Sequence, residues 1–205
     1  MQNELKVKIC GLRTREDAEA VNEVQPDFAG FIFVEGRKRY IVPEKAEKIR
    51  RTLAPGIRSV GVFLDDPVEK IISYHRACPF DLIQLHGAEN NDYIEELREE
   101  LFGLPIIKAF RIDSKEAVTR VSSCTADYLL LDNGIGGTGE RFDWSLIQGL
   151  TVPFFLAGGI SAENVGEAVR LLDPFGVDVS SSLETDGRKD PKKLREFMAI
   201  VRERK

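Results

Sequence analysis

The chain has few of the residues that form disulfides or bind metal ions. Its 205 residues include three cysteines and two histidines. Cys10, Cys78 and Cys124 are odd in number and widely separated, which indicates neither a disulfide framework nor a CxxC metal clip. With His75 and His86 as the two histidines, the chain offers too few further ligands to indicate a zinc site. We therefore expect no bound metal.

Long apolar runs and an excess of positive charge are also missing. No stretch reaches the roughly 18 consecutive apolar residues of a membrane span, and the N-terminus lacks the basic and then apolar layout of a signal peptide. Lys and Arg number 29 against 34 Asp and Glu, a net charge of -5, so no general basic field attracts nucleic acid or an anionic membrane. The sequence predicts a cytoplasmic protein with no nucleic-acid or membrane partner, whose anion sites are local.

What the chain does contain is a repeat of strand-like apolar runs. These runs begin near residues 6, 28, 58, 81, 104, 127, 152 and 175, and the segments between them carry apolar residues at helical spacing. Eight such units predict an α/β fold, a closed (β/α)8 TIM barrel formed as one domain by residues 1–205. An open doubly wound sheet is the alternative, but no G-x-G-x-x-G follows the first strand.

Two strands end in residues suited to acid–base chemistry. Cys10 ends the first strand and Asp132 ends the sixth, and active sites of such barrels lie at the carboxyl ends of the strands. The alternative interpretations are a small buried hydrophobe for the cysteine and a turn or capping residue for the aspartate. Gly11 lets the backbone leave without shielding the sulfur. In this context we predict a general base and a general acid.

A lysine lies two residues before Cys10 in the same strand. Side chains alternate along a strand, so Lys8 shares the face of Cys10. An ammonium inside the barrel needs a partner, and Asp178 lies on the eighth strand, which neighbours the first once the barrel closes. We predict a Lys8–Asp178 ion pair or water-linked contact beneath Cys10. The lysine would favour the thiolate.

Glycine and serine clusters follow the sixth, seventh and eighth strands. Bare backbone N–H groups at such positions can approach an anion closely, and the loops after strands seven and eight are the usual phosphate site of this barrel. A helix beginning at Ala162 would add its positive dipole end. The predicted phosphate-binding residues are Gly137, Gly139, Gly158, Gly159, Ser180 and Ser181.

Two further polar positions follow the carboxyl ends of predicted strands. The basic run Arg37 to Arg39 follows the second strand, and one arginine there could clamp a substrate carboxylate through its planar fork. His86 follows the fourth strand. Its side chain is interpreted as a structural strand-end residue and is left out of the chemistry.

Several segments, in this order and spacing, resemble the phosphoribosylanthranilate isomerase family over nearly the whole chain. The segments include Lys8-Ile-Cys-Gly11, Gln84-Leu-His-Gly87, Leu130-Leu-Asp132, Leu156-Ala-Gly-Gly-Ile160, Val177-Asp-Val-Ser-Ser181 and Gly187-Arg-Lys-Asp190. The last of these looks like a G-x-K-D motif before the final helix. Ser182 departs from the family, in which glycine is usual, and it places a side chain near the expected phosphate.

The resemblance implies a function for each part of the site. Cys10 is the general base, Asp132 the general acid, and Arg39 holds the anthranilate carboxylate, while the glycine and serine loops hold the phosphate through backbone amides. The implied reaction is the Amadori rearrangement of N-(5-phosphoribosyl)anthranilate in tryptophan biosynthesis. It requires no redox cofactor and no metal. The expected partner is this small phosphorylated substrate, and the expected state is a monomer or a homodimer.

Two other functions remain as alternatives. A histidine-pathway Amadori isomerase has a similar fold but uses two aspartates, and Cys10 in the base position argues against it. A non-catalytic phosphosugar-binding module would bind its ligand equally well after Cys10→Ala and Asp132→Asn. It would show no turnover before mutation.

Overall fold

Eight parallel strands form a closed barrel in the computed structural model, which describes residues 4–132 and 143–203. The strands are β1 Lys6–Cys10, β2 Phe28–Ile32, β3 Arg58–Phe63, β4 Leu82–Leu85, β5 Ile106–Arg111, β6 Tyr128–Asp132, β7 Phe154–Leu156 and β8 Gly176–Val179. Each strand begins within two residues of its predicted start. Since β1 pairs with both β2 and β8, the predicted (β/α)8 barrel is confirmed.

Seven α-helices surround the barrel in the described ranges. They are α1 Arg15–Val24, α2 Pro43–Arg50, α3 Val68–Ala77, α4 Asn91–Glu100, α5 Lys115–Ser122, α6 Val165–Leu172 and α7 Pro191–Arg202. A short 3-10 helix, Trp144–Ile147, precedes β7. Thr14 and Asp17 form a capping box at the start of α1, which satisfies N–H groups that the helix leaves unpaired. None of the helices in the described part of the chain is long and apolar enough to span a membrane.

The prediction that a helix begins at Ala162 is wrong, since α6 begins at Val165. The Asn164 side chain accepts a hydrogen bond from the Ser161 N–H at 3.0 Å and donates to the Gly159 carbonyl at 2.7 Å. Asparagine side chains compete with helical hydrogen bonds in this way. The preceding residues therefore form a turn, and the expected dipole end lies three residues further along.

Apolar side chains cover both faces of the strands. One set fills the barrel interior and includes Phe28, Val60, Leu82, Leu130 and Phe155, with Cys10 among them. A larger set lies between the strands and the helices, and burial on both faces explains why the strands are apolar almost throughout. Because side chains alternate, Asp132 points inward with Leu130.

A small hairpin follows β8 and was not predicted. Its antiparallel strands are β9 Glu184–Thr185 and β10 Arg188–Lys189, and they are joined by Asp186 and Gly187, both at positive φ. An Asp-Gly pair is well suited to such a turn. The Lys189 N–H donates to the Asp17 carboxylate at 3.1 Å. The hairpin is thereby attached to α1, at the carboxyl end of the barrel.

Candidate active site

The Cys10 thiol lies inside the barrel mouth, where β1 ends. The residue is 6% exposed and pairs in register with Gly30 of β2. A Cβ atom on Gly30 would come within 2.7 Å of the Cys10 sulfur, so glycine provides the space that the thiol occupies. Gly11 follows with φ of +89°, a conformation that favours glycine, and the backbone turns away from the sulfur there.

The predicted Lys8–Asp178 ion pair is present beneath the thiol. Lys8 Nζ lies 2.9 Å from Asp178 Oδ1, and the Lys8 side chain is fully buried. The register of β1 against β8 places these two residues side by side. Burial opposes the charge on Lys8, but the Asp178 carboxylate and the Cys10 sulfur outweigh it and raise the pKa of Lys8. The lysine is therefore held in its ammonium form.

The environment of the thiol contains opposing electrostatic effects. Burial raises the pKa of Cys10, Lys8 is the strongest influence that lowers it, and Asp178 adds to the rise. Lys189 of the hairpin also favours the thiolate. Because burial is the largest of these influences, the net result is a thiol pKa above its ordinary value. The surroundings of Cys10 in the free enzyme therefore favour the thiol over the thiolate.

Asp132 contacts a histidine that sequence reasoning left out. His86 Nε2 lies 3.4 Å from Asp132 Oδ2, and the other ring nitrogen, Nδ1, lies 2.9 Å from Gln84 Nε2. Asp132 Oδ1 is buried and has no hydrogen-bond partner among the residues the structure describes. Strand alternation could have placed His86 here, because Leu82 and Gln84 share its inward face.

The Arg39 guanidinium, predicted to bind a substrate carboxylate, is paired with a carboxylate of the protein itself. Arg39 Nε and Nη2 donate to the two oxygens of Glu184 at 2.7 and 2.9 Å. A Cβ on Gly11 would lie 2.5 Å from Arg39 Cδ, so Gly11 allows the arginine to cross above β1. Lys189 contacts the same glutamate at 3.0 Å. Sequence reasoning did not identify Glu184, and it noted Lys189 only as the lysine of the G-x-K-D motif, without a role in the site.

The predicted phosphate loops lie beside the same barrel mouth. Gly158 and Gly159 have φ of +77° and +68°, so the loop after β7 uses the conformational freedom of glycine. The Ser180 hydroxyl donates to the Cys10 carbonyl at 2.9 Å. Ser181 begins the short 3-10 helix that follows β8. The other two predicted residues, Gly137 and Gly139, lie outside the described residues.

Ser182, at the position where the resemblance leads us to expect glycine, is half-buried. Its hydroxyl donates to the Ile160 carbonyl at 2.6 Å. The serine therefore connects the loop after β8 to the loop after β7. This hydrogen bond joins the two segments that were predicted to hold phosphate.

The barrel mouth carries the elements of acid–base chemistry on small anionic ligands. In the described ranges, no group of three or more His, Cys, Asp and Glu side chains is placed to share a metal ion. A thiol and a carboxylate at the strand ends of a (β/α)8 barrel are groups that can move protons to and from a bound molecule. These features define the class: a TIM-barrel enzyme with acid–base groups at its carboxyl-terminal mouth.

Within this class, the chain belongs to the N-(5'-phosphoribosyl)anthranilate isomerase family, whose model matches residues 7–199. The isomerase of Thermoanaerobacter pseudethanolicus is 41% identical over 97% of this chain and 98% of its own length. The predicted family is thus confirmed, and the chain is an isomerase.

Two solved structures agree in fold over nearly their whole length. Monomers of the dimeric phosphoribosylanthranilate isomerase from Thermotoga maritima superpose with a TM-score of 0.86 at 33% identity, covering 97% of this chain and 99% of theirs. A second isomerase, in complex with reduced 1-(o-carboxyphenylamino)-1-deoxyribulose 5-phosphate, has a TM-score of 0.85 at 33% identity with the same coverage. The related enzyme therefore binds a phosphorylated ligand with an aromatic carboxylate.

Proposed function

We propose that this chain catalyses the Amadori rearrangement of N-(5'-phosphoribosyl)anthranilate, with Asp132 as general acid and Cys10 as general base. The observation that supports these roles best is the placement of both groups: each ends a strand, faces the barrel interior and lies at the same mouth. A carboxyl group and a thiol so placed can act on one bound sugar.

Ring opening is assigned to Asp132. His86, which contacts Gln84 Nε2 through Nδ1 at 2.9 Å, places Nε2 3.4 Å from Asp132 Oδ2. This contact involves Oδ2, and the unpartnered Oδ1 is assigned as the oxygen that delivers a proton to the substrate. Oδ1 donates this proton to the furanose ring oxygen as the bond from that oxygen to C1 breaks. The lone pair of the anthranilate nitrogen then forms the double bond of a Schiff base with C1.

Proton removal from C2 is assigned to Cys10. The thiolate accepts the C2 proton, and the electron pair of that C–H bond moves to form the enolamine as the charge on nitrogen is neutralised. The enolamine then tautomerises to the ketone, 1-(2-carboxyphenylamino)-1-deoxyribulose 5-phosphate. Because burial raises the pKa of Cys10, the thiol must first release its proton to solvent, which gives the thiolate that acts in this step.

Two anion-binding regions position the substrate between acid and base. The loops after β7 and β8, with Gly158, Gly159, Ser180 and Ser181, are assigned to the phosphate, and Gly137 and Gly139 are proposed to contribute as well. Arg39 is assigned to the aromatic carboxylate. The ligand of the solved relative, which contains both anionic groups, supports this division. Acid and base come from a single chain, and we propose that the enzyme acts as a monomer or a homodimer.

The proposal is tested by generating N-(5'-phosphoribosyl)anthranilate in situ and following the loss of its fluorescence. Freshly reduced wild-type protein is expected to turn it over, and Cys10→Ala and Asp132→Asn are each expected to lower kcat by about 10²–10⁴. Both variants should retain binding of the reduced product analogue. Wild-type protein that binds the analogue but never turns over the substrate would instead be a phosphosugar-binding module.

A further inference from the structure

The proposed subsite for the aromatic carboxylate of the substrate contains charged side chains in addition to Arg39. Arg39 donates to both oxygens of Glu184, and both side chains are largely buried. A bidentate arginine–carboxylate pair has a fixed geometry, so Glu184 sets the plane of the guanidinium. The pair on its own carries no net charge. A neutral pair is a poor site for the carboxylate of a substrate, because the resident glutamate competes for the same donors.

Lys189 supplies the charge that the pair lacks. Its side chain is 1% exposed, and Nζ lies 3.0 Å from Glu184 Oε1 and 3.1 Å from the Ser180 carbonyl. Lys193 also reaches this region, but it donates to the Glu184 backbone carbonyl rather than to the carboxylate. The hydrogen-bonded cluster of Arg39, Glu184 and Lys189 therefore has one net positive charge. It lies in the barrel mouth, beside Cys10.

The ionisation of Glu184 agrees with this charge assignment. Burial acts to raise its pKa, but the hydrogen bonds and charges of Arg39 and Lys189 outweigh burial and lower the pKa to about 2. Burial lowers the pKa of Lys189 and outweighs the opposing effect of the Glu184 carboxylate, which stabilises the ammonium form. Both residues belong to the β9–β10 hairpin, whose attachment to α1 keeps them in place.

We propose that Lys189 is a positioning residue that gives the Arg39–Glu184 pair its net positive charge and so makes the subsite selective for substrates with an aromatic carboxylate. This inference rests on the proposed function. It assigns a specificity role to the hairpin after β8. Arg39 makes the direct contact, Glu184 aligns it, and Lys189 compensates the charge of Glu184.

The test compares equilibrium binding of two ligands. One is reduced 1-(2-carboxyphenylamino)-1-deoxyribulose 5-phosphate, and the other is the same molecule with hydrogen in place of the carboxylate. Lys189→Met is expected to weaken binding of the first ligand at least about tenfold, because the remaining Arg39–Glu184 pair has no net charge to attract the carboxylate. Binding of the second ligand should weaken clearly less, because it lacks the carboxylate and is affected only by the lost contact from Lys189 to the Ser180 carbonyl in the phosphate loop.

A double variant separates charge from packing. In Lys189→Met with Glu184→Gln, the cluster regains one net positive charge, from Arg39. The double variant should therefore recover most of the selectivity between the two ligands that Lys189→Met loses. Lys108→Met is the matched control, because Lys108 is also a buried lysine paired with a glutamate, Glu89, at 2.9 Å. It should leave the ratio of the two dissociation constants unchanged.

The inference is overturned if Lys189→Met weakens both ligands equally, or if the double variant recovers no selectivity. Should Lys189→Met fail to fold, Lys189→Gln decides: it removes the charge with a side chain that can still form hydrogen bonds, so selectivity must fall, and unchanged selectivity contradicts the inference. Because binding is measured without turnover, the two proposals fail separately. An inactive wild type that still prefers the carboxylate ligand would refute the proposed function alone.

Discussion

Gly30 of β2 lies directly beside Cys10 of β1, so near that a single methyl group on Gly30 would come within 2.7 Å of the sulfur. The same methyl group would lie 3.2 Å from the Cys10 Cα. Neighbouring strands thus leave one vacant side-chain position, and the thiol fills it. The position of the proposed base is therefore determined by the residue on the adjacent strand as well as by its own.

Gly30→Ala is expected to displace the thiol and lower kcat/KM by about 10², the order of loss that follows a small misplacement of a reacting group. The fluorescence assay measures the loss, and thermal unfolding reports stability. In a Cys10→Ala background the sulfur is gone, so Gly30→Ala should cost less stability there than in wild type. Equal costs in the two backgrounds would show that the methyl group does not meet the sulfur.

The dependence of activity on pH should reflect a thiol that is difficult to ionise. Burial raises the pKa of Cys10, above an ordinary thiol value of ~8.5, and the base form is the thiolate. We therefore expect kcat/KM to increase with pH through neutrality and into the alkaline range. A pH–rate profile from pH 6 to about 10 tests this. The assignment is contradicted if kcat/KM stops increasing below pH 7. It is also contradicted if the residual activity of Cys10→Ala shows the same increase with pH.

Regular features of the chain were sufficient to predict the barrel and its strand-end chemistry. The repeat of apolar runs indicated the number of strands, and each strand end then indicated which residues lie at the mouth. Closure of the barrel made the first and eighth strands neighbours. With side-chain alternation, closure was enough to predict the Lys8–Asp178 pair, which the structure has at 2.9 Å.

The contacts that periodicity does not encode were missed. Arg39 and Glu184 are 145 residues apart, and they meet because a two-strand hairpin folds back over the barrel mouth. No apolar pattern reports where such a hairpin lies. The start of α6 was misplaced for a related reason, since the Asn164 side chain forms a local turn in place of the first helical hydrogen bonds. The Arg39–Glu184 contact and the start of α6 both depend on specific polar contacts, which the spacing of buried residues does not predict.

Acid stability should depend on Glu184. Its pKa is lowered to about 2 in the folded protein, against ~4.3 for an unperturbed glutamate. A lowered folded pKa contributes stability that is fully present above the unfolded value and is lost as pH falls through the folded one. The difference in free energy of unfolding between wild type and Glu184→Gln should thus shrink from about pH 4.3 to about pH 2. Urea denaturation across this range measures it, and a constant difference would contradict the lowered pKa.

Ser182 is expected to stabilise the two proposed phosphate loops against each other. Its hydroxyl donates to the Ile160 carbonyl at 2.6 Å, and such a hydrogen bond contributes about 1 kcal/mol to stability. Ser182→Ala removes the hydroxyl alone, whereas Ser182→Gly also increases the freedom of the unfolded chain, which costs roughly 0.5–1 kcal/mol more. Denaturant unfolding should rank wild type above alanine and alanine above glycine.

Inhibition by inorganic phosphate should be strongest in wild type, weaker in Ser182→Ala and weakest in Ser182→Gly, because less ordered loops lose more entropy when the anion binds. Tighter phosphate inhibition in Ser182→Gly would show that the serine instead obstructs the anion.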